Sequence, residues 1–107
     1  MNLPKIIADL VEAQNNYESV ANTNCFSKTA VVFDEGNTYK DRIEIQNWIV
    51  NANEKYKTVK KPLEYKVFNT EGILTAEISG TFDGSPVFLT YYFEIVDGLI
   101  QSLKITV

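Results

Sequence analysis

PLEYKVFNTEGILTAEISGTFDGSPVFLTYYFEIVDGLIQSLKITV, residues 62–107, carries a period of two almost throughout. Leu63, Tyr65 and Val67 alternate with Glu64 and Lys66, and Leu74, Ala76, Ile78 and Phe82 alternate with Thr75, Glu77, Ser79 and Thr81. Successive side chains of a strand point to opposite faces, so this is the pattern of strands with one buried face. Val87, Leu89, Tyr91, Phe93 and Ile95 supply the inner positions of a further strand, and Leu99, Leu103, Ile105 and Val107 those of another. Between them Glu71-Gly72, Asp83-Gly84-Ser85-Pro86 and Asp97-Gly98 are hairpin chemistry.

Upstream of Pro62 the apolar period is that of a helix. Leu3, Ile6, Ile7, Leu10, Val11 and Ala13 form one stripe, with Pro4 suited to the first turn and Asn15-Asn16 to the end. A short second helix is expected over 18–25, with Val20, Ala21 and Cys25 inward, leading to a buried Phe26. Ala30-Val31-Val32-Phe33-Asp34 is strand-forming and Glu35-Gly36-Asn37-Thr38 turn-forming, which puts Ala30, Val32 and Asp34 on one face. Asp41-Arg42-Ile43-Glu44 matches a capping box, after which Ile45, Trp48, Ile49, Ala52 and Tyr56 repeat at helical spacing. Helices followed by antiparallel strands predict an α+β fold, with three N-terminal helices packed in the concave face of a curved, mostly antiparallel sheet.

The chain has 107 residues, 45% hydrophobic and 22% charged, and residues 1–107 read as one globular domain. It contains no His, which excludes a Ser-His-Asp triad, a Cys-His pair and any His-ligated metal within this sequence. Lone Cys25 can form neither an internal disulfide nor a paired-Cys metal site, and reads as a small buried residue. No secretory signal is visible, and no stretch approaches the roughly 20 apolar residues of a membrane span, so a cytoplasmic location and no membrane partner are expected. The net charge of −4 argues against nucleic acid. Lys55, Lys57, Lys60 and Lys61 form a basic cluster that reads as a solvated connection or, alternatively, an anion-contacting loop. The glycines form no phosphate loop, and Asp34-Glu35 is too small a cluster for a hard cation, so neither cofactor nor metal is expected.

Asn15-Asn16-Tyr17-Glu18 and Phe26, Ala30-Val31-Val32-Phe33-Asp34-Glu35-Gly36, Trp48-Ile49 on an amphipathic helix and the motif spanning Ser79 to Pro86 together resemble the nuclear transport factor 2-like superfamily. The similarity is closer to its SnoaL-like branch and spans nearly the whole chain. It implies a cone-shaped barrel, a bent sheet around helices enclosing an apolar pocket, and common dimerisation. It leaves activity open, since the superfamily holds ketosteroid isomerases, polyketide cyclases, dehydratases and non-enzymes.

From the isomerases the resemblance implies a general base at Asp34, after Phe26. The rest of that apparatus does not transfer: Leu10 stands where the first-helix Tyr would be, and no second acid is found. Tyr39, Tyr65 or Tyr91 remain as donors, Tyr39 being the one set beside Asp34 as a catalytic pair. The predicted pocket wall takes Phe26 and Val32 from the first strand region and Trp48 and Ala52 from the third helix. The C-terminal strands add Tyr65, Phe82, Leu89, Tyr91 and Leu103. Each has a plainer reading, Asp34 as a turn carboxylate and the aromatics as core. A single convergent carboxylate favours binding of a small hydrophobic molecule without catalysis, the alternative being an isomerase-, cyclase- or dehydratase-type acid/base enzyme. Phe68, Phe88 and Tyr92 fall on the outward register, which predicts a homodimer through the outer sheet face.

Overall fold

The structure, a computed structural model, describes residues 2–107. Its elements are α1 (Lys5–Asn15), α2 (Ser19–Thr23), β1 (Phe26–Asp34), β2 (Asn37–Lys40), α3 (Asp41–Lys55), β3 (Thr58–Phe68), β4 (Glu71–Gly80), β5 (Val87–Val96) and β6 (Leu99–Thr106). The strands form one six-stranded sheet in the order β2-β1-β6-β5-β4-β3. Every neighbouring pair is antiparallel except β1 and β6, which run parallel, so the sheet is mixed.

The α+β architecture expected from the sequence is the one observed, but the sheet does not close into a barrel: β2 and β3 are its two edges. At the β3 edge the backbone is satisfied from a helix. The Asn15 side chain, at the end of α1, donates from Nδ2 to the Lys60 carbonyl at 3.0 Å and accepts the Lys60 N–H on Oδ1 at 2.8 Å. Paired in this way, the edge has less need of another strand at that point.

Alternation is realised in β4, where Leu74, Ala76 and Ile78 are buried, and in β5, where Tyr91 and Phe93 are. In β6 Leu103 is buried as expected, but a register shift at Glu94/Ile95 brings Ile100 rather than Leu99 inward, and Val107 is exposed. Ile7, Leu10 and Val11 of α1 and Ile45 and Ile49 of α3 complete the core. Two hairpins use two-residue turns with both residues at positive φ, Glu35-Gly36 (52° and 77°) and Asp97-Gly98 (52° and 80°), a geometry that suits the strand twist.

Several local expectations are corrected. Asn37 and Thr38 belong to β2 rather than to a turn, since Glu35-Gly36 alone closes the hairpin. Glu71 and Gly72 are the first residues of β4, and the reversal before them uses Asn69 at φ 58°. Gly72 is there for packing: a Cβ on it would collide with the Tyr65 hydroxyl. In α2, Val20 and Ala21 face solvent and Asn22 and Thr23 are buried. Arg42, in the first turn of α3, donates from Nε to the Phe26 carbonyl at 2.9 Å, tying the helix start to β1. At the start of α3 the Asp41 carboxylate accepts from the Ile43 and Glu44 N–H groups at 2.9 and 3.2 Å, the capping role its sequence predicts.

The largest correction concerns β3, which starts at Thr58 rather than at Pro62. It carries an irregularity between Pro62 and Glu64, where proline contributes no N–H to the ladder. Leu63, at the irregularity, is exposed, and Val67, opposite Gly72 on the inward register, is exposed because it lies near the end of an edge strand. Lys60, read from sequence as part of a solvated connection, becomes an inward position of a strand and retains only 7% exposure.

Candidate functional site

A cavity of about 580 Å³ lies between the helices and the concave face of the sheet. Its walls are mostly apolar, with Trp48, Ile49 and Ala52 from α3 and Ile78, Leu89 and Tyr91 from the sheet. Of the predicted wall residues, Trp48, Ala52, Leu89 and Tyr91 line it. Phe26, Val32 and Leu103 are fully buried in the core behind the wall. Tyr65 is occupied over Gly72, and Phe82 packs edge-on against Tyr56, with centroids 6.0 Å apart, so neither reaches the cavity.

Asp34 reaches the cavity because β1 alternates: Ala30 and Val32 are buried on the inner face and Asp34 follows them in register. The hairpin turn begins at the next residue, leaving Asp34 at the rim of the sheet, half-buried. The Trp48 indole N–H donates to its Oδ2 at 3.3 Å. Burial pushes the Asp34 carboxyl above the usual carboxylate range, with the neighbouring Glu35 charge adding to the rise; the Trp48 hydrogen bond, the Glu35 backbone N–H and the Lys60 charge oppose it. Tyr39 stacks on the Trp48 ring, at 5.5 Å between centroids and 26° between planes. It props the indole and is not itself on the cavity wall.

Lys60 was not anticipated as a site residue. Its backbone is clamped by Asn15, its side chain lines the cavity, and its Nζ sits 3.9 Å from the Tyr91 ring centroid. Among the described residues no hydrogen-bond or ion-pair partner is placed on that Nζ. Burial lowers the Lys60 ammonium to about 7, with Asp34 pulling the other way. Burial likewise pushes the Tyr91 phenol well up, so it stays protonated as a neutral platform beneath the cation. In the sequence the only trace of this role was the two-residue step from Thr58 through Lys60 to Pro62, masked by the lysines around it.

The helical side contributes amides. Gln14 of α1 and Asn22 of α2 line the cavity, and Gln14 Oε1 and Asn22 Oδ1 are buried with no hydrogen-bond partner among the described residues. Asn22 is 2% exposed, and a buried acceptor without a donor is an unmet demand. No group of three or more Cys, Asp or Glu side chains capable of holding a metal occurs among the described residues.

A mixed open sheet cupping helices around a cavity defines a cone-like α+β class of small-molecule-sized sites. A candidate polyketide cyclase from Sinorhizobium meliloti is 38% identical to this chain, covering 97% of it and 95% of its own length, with a TM-score of 0.93. The chain belongs to the nuclear transport factor 2-like superfamily, in its SnoaL-like branch. Two more distant structures share the fold. A hypothetical protein with a ketosteroid isomerase-like fold from Catenulispora acidiphila, solved in complex with trimethylamine, is 15% identical over 99% of this chain and 87% of its own (TM-score 0.88). An epoxide hydrolase/cyclase-like enzyme of pyran ring formation in the polyether salinomycin is 14% identical over 94% and 86% (TM-score 0.83). No family model matches the sequence, and no curated protein matches it.

Proposed function

We propose that the cavity binds a small, largely apolar molecule bearing a carbonyl group and moves a proton on it, with Asp34 as general base and the Lys60 ammonium as the charge facing the developing oxyanion. The observation that carries this reading is that Asp34 and Lys60 stand on the walls of one mostly apolar cavity. A lone carboxylate favoured passive binding in the sequence; a second, oppositely charged group in the same space favours chemistry.

Desolvation raises the basicity of Asp34 and strengthens any interaction made inside the cavity. Trp48 donates to Oδ2, and the carboxylate keeps further lone pairs on which to receive a proton. The Lys60 ammonium, held over Tyr91 without an anionic contact, is free to face an enolate oxygen. Binding of a small hydrophobic molecule is common to this reading and the passive one. The similarity to a candidate polyketide cyclase favours a carbonyl-rich ligand.

The test is deuterium exchange at the carbon next to the carbonyl in a panel of small apolar ketones, followed by NMR in D₂O. Wild-type protein is expected to accelerate exchange of at least one member, and Asp34→Asn to lower that rate by about 10²-fold or more. Ligand-induced shifts at Trp48 with no exchange would leave binding standing and remove the catalytic part.

A further inference from the structure

The geometry points to Lys60 as a nucleophile that condenses with a ketone in the cavity to form a covalent imine, with Asp34 shuttling the protons. This rests on the reading that the cavity admits carbonyl compounds, and goes beyond non-covalent proton transfer.

An imine-forming lysine must be able to exist as a free amine, must reach the carbonyl, and must exclude water from the product. Lys60 meets these conditions through its surroundings. It is 7% exposed and enclosed on a mostly apolar wall. Among the described residues it has no carboxylate or carbonyl contact that would lock it as an ammonium; its neighbour is the Tyr91 ring. Two hydrogen bonds with the Asn15 side chain, one given and one taken, fix its backbone on the β3 edge, so that the freedom left to it is the side chain's own reach into the cavity. Surface lysines such as Lys5, ion-paired to Asp9 at 2.8 Å, and Lys66, set against Glu64 at 3.6 Å, are exposed and paired. The lowered proton affinity of Lys60 agrees with this placement and keeps a large share of amine present near neutral pH.

In the step itself the Nζ lone pair forms a bond to the carbonyl carbon while the carbonyl π electrons move onto oxygen. A proton passes from nitrogen to that oxygen, giving a carbinolamine. The protonated Asp34 carboxyl then donates to the hydroxyl, the carbon–oxygen bond breaks and water leaves. The resulting iminium returns its N–H proton to Asp34, so the sum is amine plus ketone giving imine plus water, with no oxidant or reductant. Asp34 lines the same cavity as Lys60, which places its carboxyl where it can pass protons between the nitrogen and the leaving oxygen.

The probe is benzoylacetone, an apolar 1,3-diketone whose adduct with an amine tautomerises to a conjugated enaminone that survives mass spectrometry without reduction. The folded protein is incubated with it near pH 7. Occupancy of the cavity is read separately from the indole N–H resonance of Trp48, the only tryptophan. The expected result is a mass gain of one probe less one water, mapped to Lys60, and lost in Lys60→Arg and Lys60→Met. Arg keeps the charge and cannot form the imine, whereas Met keeps the length of the chain and no charge, so the two do not share one route to misfolding. Asp34→Asn should slow the adduct tenfold or more. A Trp48 shift with no adduct, or adducts spread over surface lysines and undiminished in Lys60→Arg, would overturn the covalent role and leave the cavity reading intact. Neither shift nor adduct would overturn both.

Discussion

At the residue scale the proposed chemistry depends on two groups whose proton affinities burial moves toward each other. Lys60 is lowered to about 7 from an ordinary value of 10.5, so the unfolded chain binds more protons there between those limits. The cost of burying the ammonium is thus fully present below about pH 7 and is relieved as the pH rises toward 10.5. Lys60→Met removes it. In urea unfolding the variant should be more stable than wild type near pH 6, and its advantage should shrink by on the order of 2 kcal/mol over the next two to three pH units. A constant gap would mean that Lys60 is not charged and buried in the folded state.

Asp34 has the opposite sign: its raised value makes the neutral form the stabilising one, and that contribution is lost as the pH climbs from the ordinary carboxylate range through the raised value. Asp34→Asn should therefore fold at least as stably at neutral pH, and should shift the Lys60 midpoint down, since the Asp34 charge is what raises it. Trp48→Phe, which deletes the indole donor, should move Asp34 further up in a carboxyl-carbon NMR titration. Asp34 and Trp48 were legible in the sequence because period two and period 3.6 aimed both inward. Lys60 was not, because a lysine among lysines carries no hydrophobic signal and its burial is decided by where β3 begins.

The site depends on a contact between elements, the end of α1 against the edge of β3. Asn15 acts there as a surrogate strand residue, giving and taking one hydrogen bond each with Lys60. Asn15→Ala should cost about 1–3 kcal/mol by leaving a partly buried N–H and C=O unmet, as read by chemical unfolding. It should also speed amide exchange at Lys60 relative to the centre of β4. Exchange unchanged at Lys60 would show that the edge is protected by something other than this side chain. The longer elements were readable from pattern alone: α1, α3, β4 and β5 have enough apolar positions to declare their period, whereas in β6 a register shift puts Ile100 where the pattern put Leu99. The short ones were not. A turn of Glu35-Gly36 at positive φ leaves Asn37 and Thr38 free to pair, and polar composition alone cannot separate a four-residue strand from a loop.

At the scale of the whole molecule, the outer face of the sheet remains unaccounted for. Phe68 and Phe88 are 67% and 57% exposed, but they do not form one aromatic cluster. Phe68 sits opposite Glu71 and Phe88 opposite Glu77, about 20 Å apart along β4. Tyr92 lies between them, in a row that runs from Phe33 through Lys104 and Tyr92 to Ile73 and Lys66. We propose that a second copy of the chain covers this face, with Tyr92 near the two-fold axis. A two-fold places each near-axis residue beside its own counterpart, so a charge introduced there meets a like charge, whereas one introduced at the margin meets solvent. Tyr92→Lys should then dissociate the pair, while Phe68→Lys, at the far end of the face, should only weaken it. Light scattering across micromolar concentrations separates the outcomes: a wild-type particle of twice the 12.1 kDa chain mass that halves in Tyr92→Lys supports the arrangement. A wild-type particle of single mass would mean that the face stands open in solution, its exposed rings separated by the lysines and threonines between them.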